Sequence, residues 1–289
     1  MEHVLVDKSA LLWTPSLKDT MSDLTLDFTC KTAFASVAGR SHLETQAPCQ
    51  DYVAARESNA VTCIALADGA GSRARSDIGA QVAVTATLAY VCKNFESLWQ
   101  NMEKHNAKAA QRLINRCLDA FRRKSAKLGC EINDLACTLS FVAYSQGRYM
   151  AGNLGVGVIA LIDPDGQLET LSPPENDELT NTTSLLNDPK AISKLRLYRG
   201  TVLAPTGFAI MSAGTAESLY QKSSGVPAPA VQKLLEWNAT LPGKKFKAVL
   251  SEHLQQSIAS ETADDCALGL ISILQRENSI KRTDFAGTE

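Results

Sequence analysis

Short apolar runs of strand length recur along the chain, and turn-forming residues separate most of them. Runs of roughly four to eight residues that are rich in β-branched side chains predict buried β-strands. The run at 61–67 is the clearest of these and is typical of a buried strand. The predicted strands cover 34–38, 51–55, 61–67, 136–144, 148–153, 158–163, 195–198, 208–211 and 266–274.

Helical patterning fills the intervals between these strands. The stretch after Ser76 is nearly all apolar, which predicts a helix buried on several sides, with Ser76 as its N-cap. A more polar helix is predicted over 103–128, ending before Gly129. Shorter helices are predicted over 215–221, 231–238 and 244–257. This order lacks regular β–α alternation, so it favours an α+β fold in which helices cover antiparallel sheets.

Composition narrows the class of protein. The chain has 289 residues, 45% of them hydrophobic and 21% charged, which is typical of a globular protein. A net charge of -2 argues against a nucleic-acid partner, and no apolar stretch is long enough for a membrane span. The eight cysteines form no C-x-x-C pair, so reduced thiols in a cytoplasmic protein are expected rather than disulfides or a zinc site. Oligomeric state is not indicated.

Asp68 is the first candidate for chemistry, because it ends the strand predicted at 61–67 and enters a glycine turn. Gly69 and Gly71 leave the backbone bare beside this carboxylate. A carboxylate next to exposed carbonyl groups is half of a site for Mg²⁺ or Mn²⁺, which prefer oxygen ligands. Asp-Gly is also a common turn dipeptide, so an ordinary strand-to-loop turn is the alternative.

Three further acids lie at predicted strand ends. Asp51 begins one strand, and Asp264 and Asp265 directly precede the last one. If these ends converge, the carboxylates repel one another unless a cation lies between them, so convergence would imply a metal. The alternatives are a solvated strand start for Asp51 and a simple turn for Asp264 and Asp265.

Six segments, taken in order, resemble the metal-dependent type 2C protein serine/threonine phosphatases, especially their compact bacterial branch. The resemblance covers about residues 34–273, and ENDELTNTTSLL at 175–186 is similar to a stretch of that branch. The segments are AGRSHLETQAPCQD, LADGAGS, SDIGAQVAV, the pair ACTLSFVAY and AGNLGVGVIAL, GFAIMSAGTAESLY, and TADDCALGLI.

This resemblance implies a four-layer α-β-β-α sandwich of two antiparallel sheets flanked by helices. It places the phosphatase-like domain at 32–275, between an N-terminal extension (1–31) and a polar C-terminal tail (276–289). It also implies hydrolysis of phosphoserine and phosphothreonine by a water activated between two Mn²⁺ or Mg²⁺ ions, without a covalent phosphoenzyme. The expected partners are phosphorylated proteins and a cognate Ser/Thr kinase.

The same resemblance assigns roles to individual residues. Asp68 would bridge the two metals and the Gly69 carbonyl would complete one of them. Asp264 would bind the other metal, and Asp51 would act directly or through a bound water. His42 is the candidate catalytic residue, with a structural, hydrogen-bonded histidine as the alternative. Gln46 lies near the place of the family's phosphate-binding arginine. Further candidates to bind the phosphate are therefore Arg40, Arg73 and Arg75.

The sequence departs from the family pattern at three positions. Ala213 stands where the family has a metal-binding aspartate, so one ligand oxygen is missing. Val156 replaces an aspartate linked to a further, weaker metal. Gln50 replaces a glutamate found in some relatives, but glutamine is common there in bacterial members, so this change has little weight. The changes at Ala213 and Val156 predict impaired activity, and they make a catalytically inactive pseudophosphatase that binds phosphoproteins the alternative function.

Overall fold

Two five-stranded antiparallel sheets form the centre of the molecule. The computed structural model describes residues 28–175, 183–202 and 204–275. The first sheet contains, in spatial order, β1 (Phe28–Val37), β12 (Cys266–Gln275), β9 (Thr206–Met211), β6 (Val158–Ile162) and β7 (Leu168–Ser172). The second contains β2 (Asp51–Ser58), β3 (Val61–Asp68), β4 (Leu139–Ser145), β5 (Arg148–Leu154) and β8 (Arg196–Thr201). A small hairpin joins β10 (Tyr220–Gln221) to β11 (Val226–Pro227).

Helices cover the outer face of each sheet. The described helices are α1 (Arg40–Thr45), α2 (Ser76–Lys104), α3 (Asn106–Leu128), α4 (Ala191–Lys194), α5 (Ala213–Leu219), α6 (Pro229–Thr240) and α7 (Gly243–His253), with a 3₁₀ turn at Ile132–Leu135 and a π turn at Leu254–Ile258. α2 packs on the second sheet and α3 on α2, whereas α6 and α7 pack on the first sheet. The predicted α-β-β-α sandwich is therefore confirmed.

The core lies in three apolar layers, and β3 contributes to two of them. Cys63 and Ala65 face α2, while Ile64 and Leu66 face the first sheet, where they meet Phe208 and related side chains. Both faces of β3 are thus buried, which explains its unbroken apolar sequence. Among the described residues, no helix has both the length and the apolar character needed to cross a membrane.

Some predicted boundaries differ from the structure. β1 begins at Phe28, so residues 28–31 of the predicted extension pair with β12. Ser76 is the first helical residue of α2 rather than its N-cap, and its hydroxyl donates to the Arg73 carbonyl instead. Gly129 ends α3 in the left-handed conformation, as predicted, with φ of 64°. Residues 1–27, 176–182 and 276–289 lie outside the described residues, and with them parts of the predicted extension, branch-like segment and tail.

A buried polar network centred on Asn153 joins the two sheets. The Asn153 Nδ2 group donates to the Gly157 carbonyl at 2.7 Å and to Ser172 Oγ at 3.0 Å. Its Oδ1 atom accepts a hydrogen bond from Ser140 Oγ at 2.8 Å, and Tyr198 donates its hydroxyl to Ser172. Asn153 is fully buried, and it is the partner of the Ser140 hydroxyl, the Gly157 carbonyl and the Ser172 hydroxyl.

Replacing Asn153 by alanine should therefore destabilise the fold. We expect Asn153→Ala to lower the free energy of unfolding by about 2–4 kcal/mol, because it leaves several buried polar groups without partners. Urea unfolding followed by circular dichroism measures the change. Thr85→Ala is the control, since this exposed side chain bonds only within α2 and its loss should change stability by less than about 0.5 kcal/mol. Equal unfolding midpoints for the two variants would contradict the role of this network.

Candidate active site

The acidic strand ends predicted from the sequence meet at one end of the sandwich. Asp51, the first residue of β2, pairs directly with Asp68, the last residue of β3. Asp264 and Asp265 precede β12, and β12 pairs with β9 so that Leu268 lies opposite Met211. Ser212 and Ala213 follow β9 directly and begin α5. The two sheets thus bring all four acids and the start of α5 to the same place.

Two glycines allow this close approach. A Cβ atom on Gly39 would lie 2.1 Å from the Asp264 carbonyl oxygen, and one on Gly214 would lie 2.3 Å from that of Asp265. No side chain fits at either position. The backbone before α1 and the first turn of α5 therefore press directly on the Asp264–Asp265 segment.

Asp265 anchors the segment between β1 and β2. Its carboxylate accepts hydrogen bonds from the Gly39 amide at 2.8 Å and the Gln50 amide at 2.6 Å. The same carboxylate contacts His42 Nδ1 at 2.8 Å. Asp265 is only 2% exposed, so these partners compensate the burial of its charge. This carboxylate fixes the loop that carries Asp51 into the site.

The other three acids lack comparable compensation. Burial raises the pKa of Asp68 to about 7, and the charges of Asp264 and Asp265 add to this effect, although hydrogen bonds from the Ala213 amide and from Asp51 oppose it. The pKa of Asp51 is raised well above its usual range by burial and then by Asp68. Burial also raises the pKa of Asp264. The cluster therefore lacks positive charge.

The donor atoms present suit a hard divalent cation. Asp51 is 4% exposed, and its Oδ2 atom has no hydrogen-bond partner among the described residues. Gly69 forms an isolated β-bridge with Cys137. Its two hydrogen bonds run from the Thr138 amide to the Asp68 carbonyl and from the Ala70 amide to the Ala136 carbonyl, so the bridge does not use the Gly69 carbonyl. Oxygen donors of this kind are those that Mg²⁺ and Mn²⁺ prefer. Within the described ranges, no three His, Cys, Asp or Glu side chains already form a group that could hold a metal ion.

Comparison with known proteins decides the family. A sequence model of the family described as protein phosphatase 2C matches residues 38–256. The chain belongs to this family.

Individual relatives of the phosphatase 2C family agree with this assignment. The chain is 25% identical over 173 residues to serine/threonine-protein phosphatase 3 of Escherichia coli K12, covering 58% of this chain and 67% of that one. The catalytic domain of the phosphatase PstP, solved with two manganese ions, matches with a TM-score of 0.59 and 15% identity over 86% of this chain and all of that one. RsbX, solved with magnesium, matches with a TM-score of 0.52 and 14% identity over 86% and 99% of the two chains. These structural similarities show that the chain has the same fold as the PstP domain and RsbX.

Ala213 occupies a central place in this phosphatase 2C site. It is the first residue of α5, and its backbone amide donates to the Asp68 carboxylate. The next residue, Gly214, packs against Asp264 and Asp265. The backbone at position 213 therefore lies beside the acidic cluster, and the methyl group of Ala213 offers no ligand oxygen. Val156, in the β5–β6 connection, is half-buried and equally apolar.

His42 and Arg40 lie on α1, whereas Arg73 and Arg75 lie on the turn after β3. His42 lies on α1, held by Asp265, and its side chain is 21% exposed. Arg40 is exposed and its Nε atom donates to the Thr262 carbonyl at 3.3 Å, while Arg73 and Arg75 are exposed on the turn after Gly69. The geometry accounts for the structural role of His42 and leaves part of its ring accessible.

Sequence reasoning missed two residues of this site. Asp265 is the loop anchor, although it was grouped with Asp264 as a possible ligand or turn residue. Glu217 on α5 was not considered; burial is the main cause of the raised pKa of Asp264, and the charge of Glu217 adds to it. Its spacing of four residues from Ala213 was the available signal, because residues four apart share one helix face.

Truncation of Asp265 should cost much more stability than truncation of its neighbour Asp264. We expect Asp265→Ala to lower the free energy of unfolding by about 2–4 kcal/mol, because it removes the acceptor of two buried backbone amides. Asp264→Ala should change it by less than about 1 kcal/mol, since it removes a partly exposed carboxylate from a repelling cluster. Urea unfolding in EDTA measures both, and equal losses would show that Asp265 is not the anchor.

Stability of the metal-free protein should fall as pH rises through the range set by Asp68. The pKa of this carboxyl is raised from 3.8 to about 7 in the folded state, so the folded protein retains a proton that the unfolded chain has lost. The stability that the Asp68 carboxyl contributes is therefore fully present below about pH 4 and is lost as pH rises through 7. Between about pH 5 and pH 8 we expect a loss of about 2 kcal/mol from this group, measured by urea unfolding in EDTA. Asp68→Asn should flatten the dependence, and an unchanged slope in that variant would contradict the assignment.

Proposed function

We propose that this chain is a metal-dependent protein phosphatase that hydrolyses phosphoserine and phosphothreonine on proteins with two Mn²⁺ or Mg²⁺ ions. One observation supports the proposal above the others. In a member of the phosphatase 2C family, Asp51, Asp68 and Asp264 converge at one end of the sandwich, and Asp51 keeps a buried oxygen without a partner. The related PstP domain and RsbX were solved with manganese and with magnesium.

The proposed roles are those that the family resemblance implies. Asp68, the Gly69 carbonyl and Asp264 would hold the two ions, and Asp51 would act directly or through a water. When bound, the ions would lower the pKa of a shared water and neutralise the phosphate oxygens. The fixed backbone around Asp264, pressed by Gly39 and Gly214, would hold these carboxylates in place during the reaction.

His42 is proposed as the catalytic side chain beside the metals. The contact between its Nδ1 atom and Asp265 orients the ring, so Nε2 is the nitrogen that remains to exchange a proton with the departing serine or threonine oxygen. We propose that the substrate phosphate binds to side chains from the exposed cations Arg40, Arg73 and Arg75.

A pseudophosphatase is the second candidate, and Ala213 together with Val156 favours it. Both positions present apolar side chains where the family has carboxylates, so this site has fewer ligands than its acidic strand ends suggest. Such a module would bind phosphoproteins or a Ser/Thr kinase without turning substrate over. For either function we propose a cytoplasmic location, because all eight cysteines are free thiols.

Phosphate release from a phosphothreonine peptide distinguishes the two functions. With Mn²⁺ present, we expect turnover by this chain above that of Asp68→Asn, and an increase of about tenfold or more for Ala213→Asp, which returns a ligand carboxylate. Calorimetric titration with Mn²⁺ is the parallel measurement.

Each outcome supports one function or rejects both. Turnover that disappears in Asp68→Asn excludes the pseudophosphatase. Metal binding without turnover in either this chain or Ala213→Asp supports it instead. If neither protein releases phosphate and neither binds Mn²⁺, the proposed phosphatase function is wrong.

A further inference from the structure

The outer helix α3 carries charge of almost one sign. Six of its residues are exposed cations, whereas Asp119 is its only acidic residue. The opposite side of α3 packs on α2, so these cations lie on the outer surface of the molecule. Together they form the basic face, which comprises Lys108, Arg112, Arg116, Arg122, Arg123 and Lys127. Since the whole chain has a net charge of -2, positive charge is concentrated on this one helix.

Most cations of the basic face lack an acidic partner. Arg122 pairs with Asp119 at 2.6 Å, and within the described ranges the other five form no ion pair. By contrast, Arg148 on β5 pairs at 2.9 Å with Glu96 on α2, the helix on which α3 packs. The basic face is therefore open to an anionic partner that comes from outside this part of the chain.

The stability of α3 itself does not account for this pattern. The first turn of α3 contains Lys108 and no acidic residue, although a cation near a helix N-terminus interacts unfavourably with the helix dipole. Arg112 and Arg116 follow at spacings of four residues, and like charges at this spacing repel one another. Lys127, in the last turn, suits the dipole. The N-terminal half of the basic face therefore opposes helix stability unless an anion neutralises it.

The basic face runs towards the candidate active site. α3 ends at Leu128, and the 3₁₀ turn at Ile132–Leu135 follows it closely. The Arg75 amide donates to the Asp134 carbonyl at 3.0 Å, which ties this turn to the loop that follows Asp68. The C-terminal end of α3 and the acidic cluster are therefore at the same end of the sandwich.

An extended acidic peptide fits the dimensions of the basic face. A helix rises roughly 28 Å between Lys108 and Lys127, a length that about eight or nine extended residues match. A nucleic acid fits less well, because the net charge of -2 makes the chain outside α3 acidic overall. A membrane surface also fits less well, because Leu128, at the very end, is the only exposed large hydrophobic residue of α3.

We propose that the basic face docks an acidic segment of the phosphorylated protein substrate and so holds that substrate beside the active site. The inference rests on the proposed function, because it takes a phosphoprotein as the partner. The contacts would be pairs between carboxylates of the segment and the guanidinium and ammonium groups of α3. Because these cations are exposed, salt would weaken the docking.

Binding of an acidic peptide tests the basic face without relying on turnover. The probe is a fluorescein-labelled peptide of about ten glutamates, a length that spans the basic face, and fluorescence anisotropy measures its affinity. In EDTA and about 50 mM NaCl we expect the combined Lys108→Gln, Arg112→Gln and Arg116→Gln variant to bind about tenfold more weakly, since three exposed ion pairs are lost together. Binding by the unmodified chain should weaken further at about 300 mM NaCl.

The matched control removes three exposed cations from elsewhere on the surface: Lys222, Lys244 and Lys245, each changed to glutamine. Two of them lie on α7, which packs on the other sheet. The net charge changes equally in both triple variants, and we expect a loss below about twofold in the control. Circular dichroism and urea unfolding verify the fold. The α3 variant should be at least as stable as the unmodified chain, because it loses mutually repelling cations.

Turnover with Mn²⁺ tests the docking of a substrate. One peptide carries phosphothreonine flanked on both sides by about ten glutamates, and a second carries serines in their place. We expect the α3 triple variant to raise KM for the acidic peptide about tenfold with kcat unchanged, and to leave KM for the serine peptide within about twofold.

The outcomes separate this docking role from the proposed function. Equal losses in the two triple variants, or no binding of the glutamate peptide by the unmodified chain, would reject the basic face as a docking surface. Tighter binding of single-stranded DNA of equal charge, or of vesicles that contain an anionic lipid, would show that its partner is not an acidic protein segment. Phosphate release with an unchanged KM rejects the docking role and leaves the phosphatase function. If neither peptide is hydrolysed but glutamate binding is lost only in the α3 variant, the proposed function fails and the acidic docking surface stands.

Discussion

Mutual repulsion among clustered carboxylates is the constraint on which this end of the molecule depends. Asp51 and Asp68 are opposite each other in a β-ladder, and Asp264 approaches them from the other sheet. Burial raises the pKa of all three, so the cluster destabilises the metal-free fold. The apolar layers on both faces of β3 must offset this repulsion, which is a common relation between a functional site and the core that supports it.

Two adjacent aspartates divide the structural and the chemical work at this site. The Asp265 carboxylate receives two backbone amides and contacts His42, so its charge is compensated within the protein. The Asp264 carboxylate accepts only the amide of Asp265 among the described residues. Because Asp265 and the proposed ligand Asp264 are neighbours in sequence, the hydrogen bond from Gln50 to Asp265 ties the loop that carries Asp51 to the segment that carries Asp264.

Strands and helices that bury one face or all faces could be predicted from the sequence. Elements that bury few or none of their residues could not. β3 and β12 were predicted because their apolar runs are buried on both faces. β7 was missed because three of its five residues are only half-buried, and α1 was missed because it buries no residue. Of the site, Asp68 was recognisable from its glycine turn. The anchoring role of Asp265 was not, since its partners lie 215 to 226 residues away in the chain.

The start of α5 shows how the absence of one carboxylate favours the metal-free fold. A carboxylate at 213 would add a further negative charge beside Asp68, and the fold would have to offset that repulsion whenever no cation is bound. Alanine removes this cost and keeps the backbone amide that stabilises the Asp68 carboxylate. The start of this helix therefore favours a stable metal-free protein, but its side chain offers no oxygen to a cation at this position.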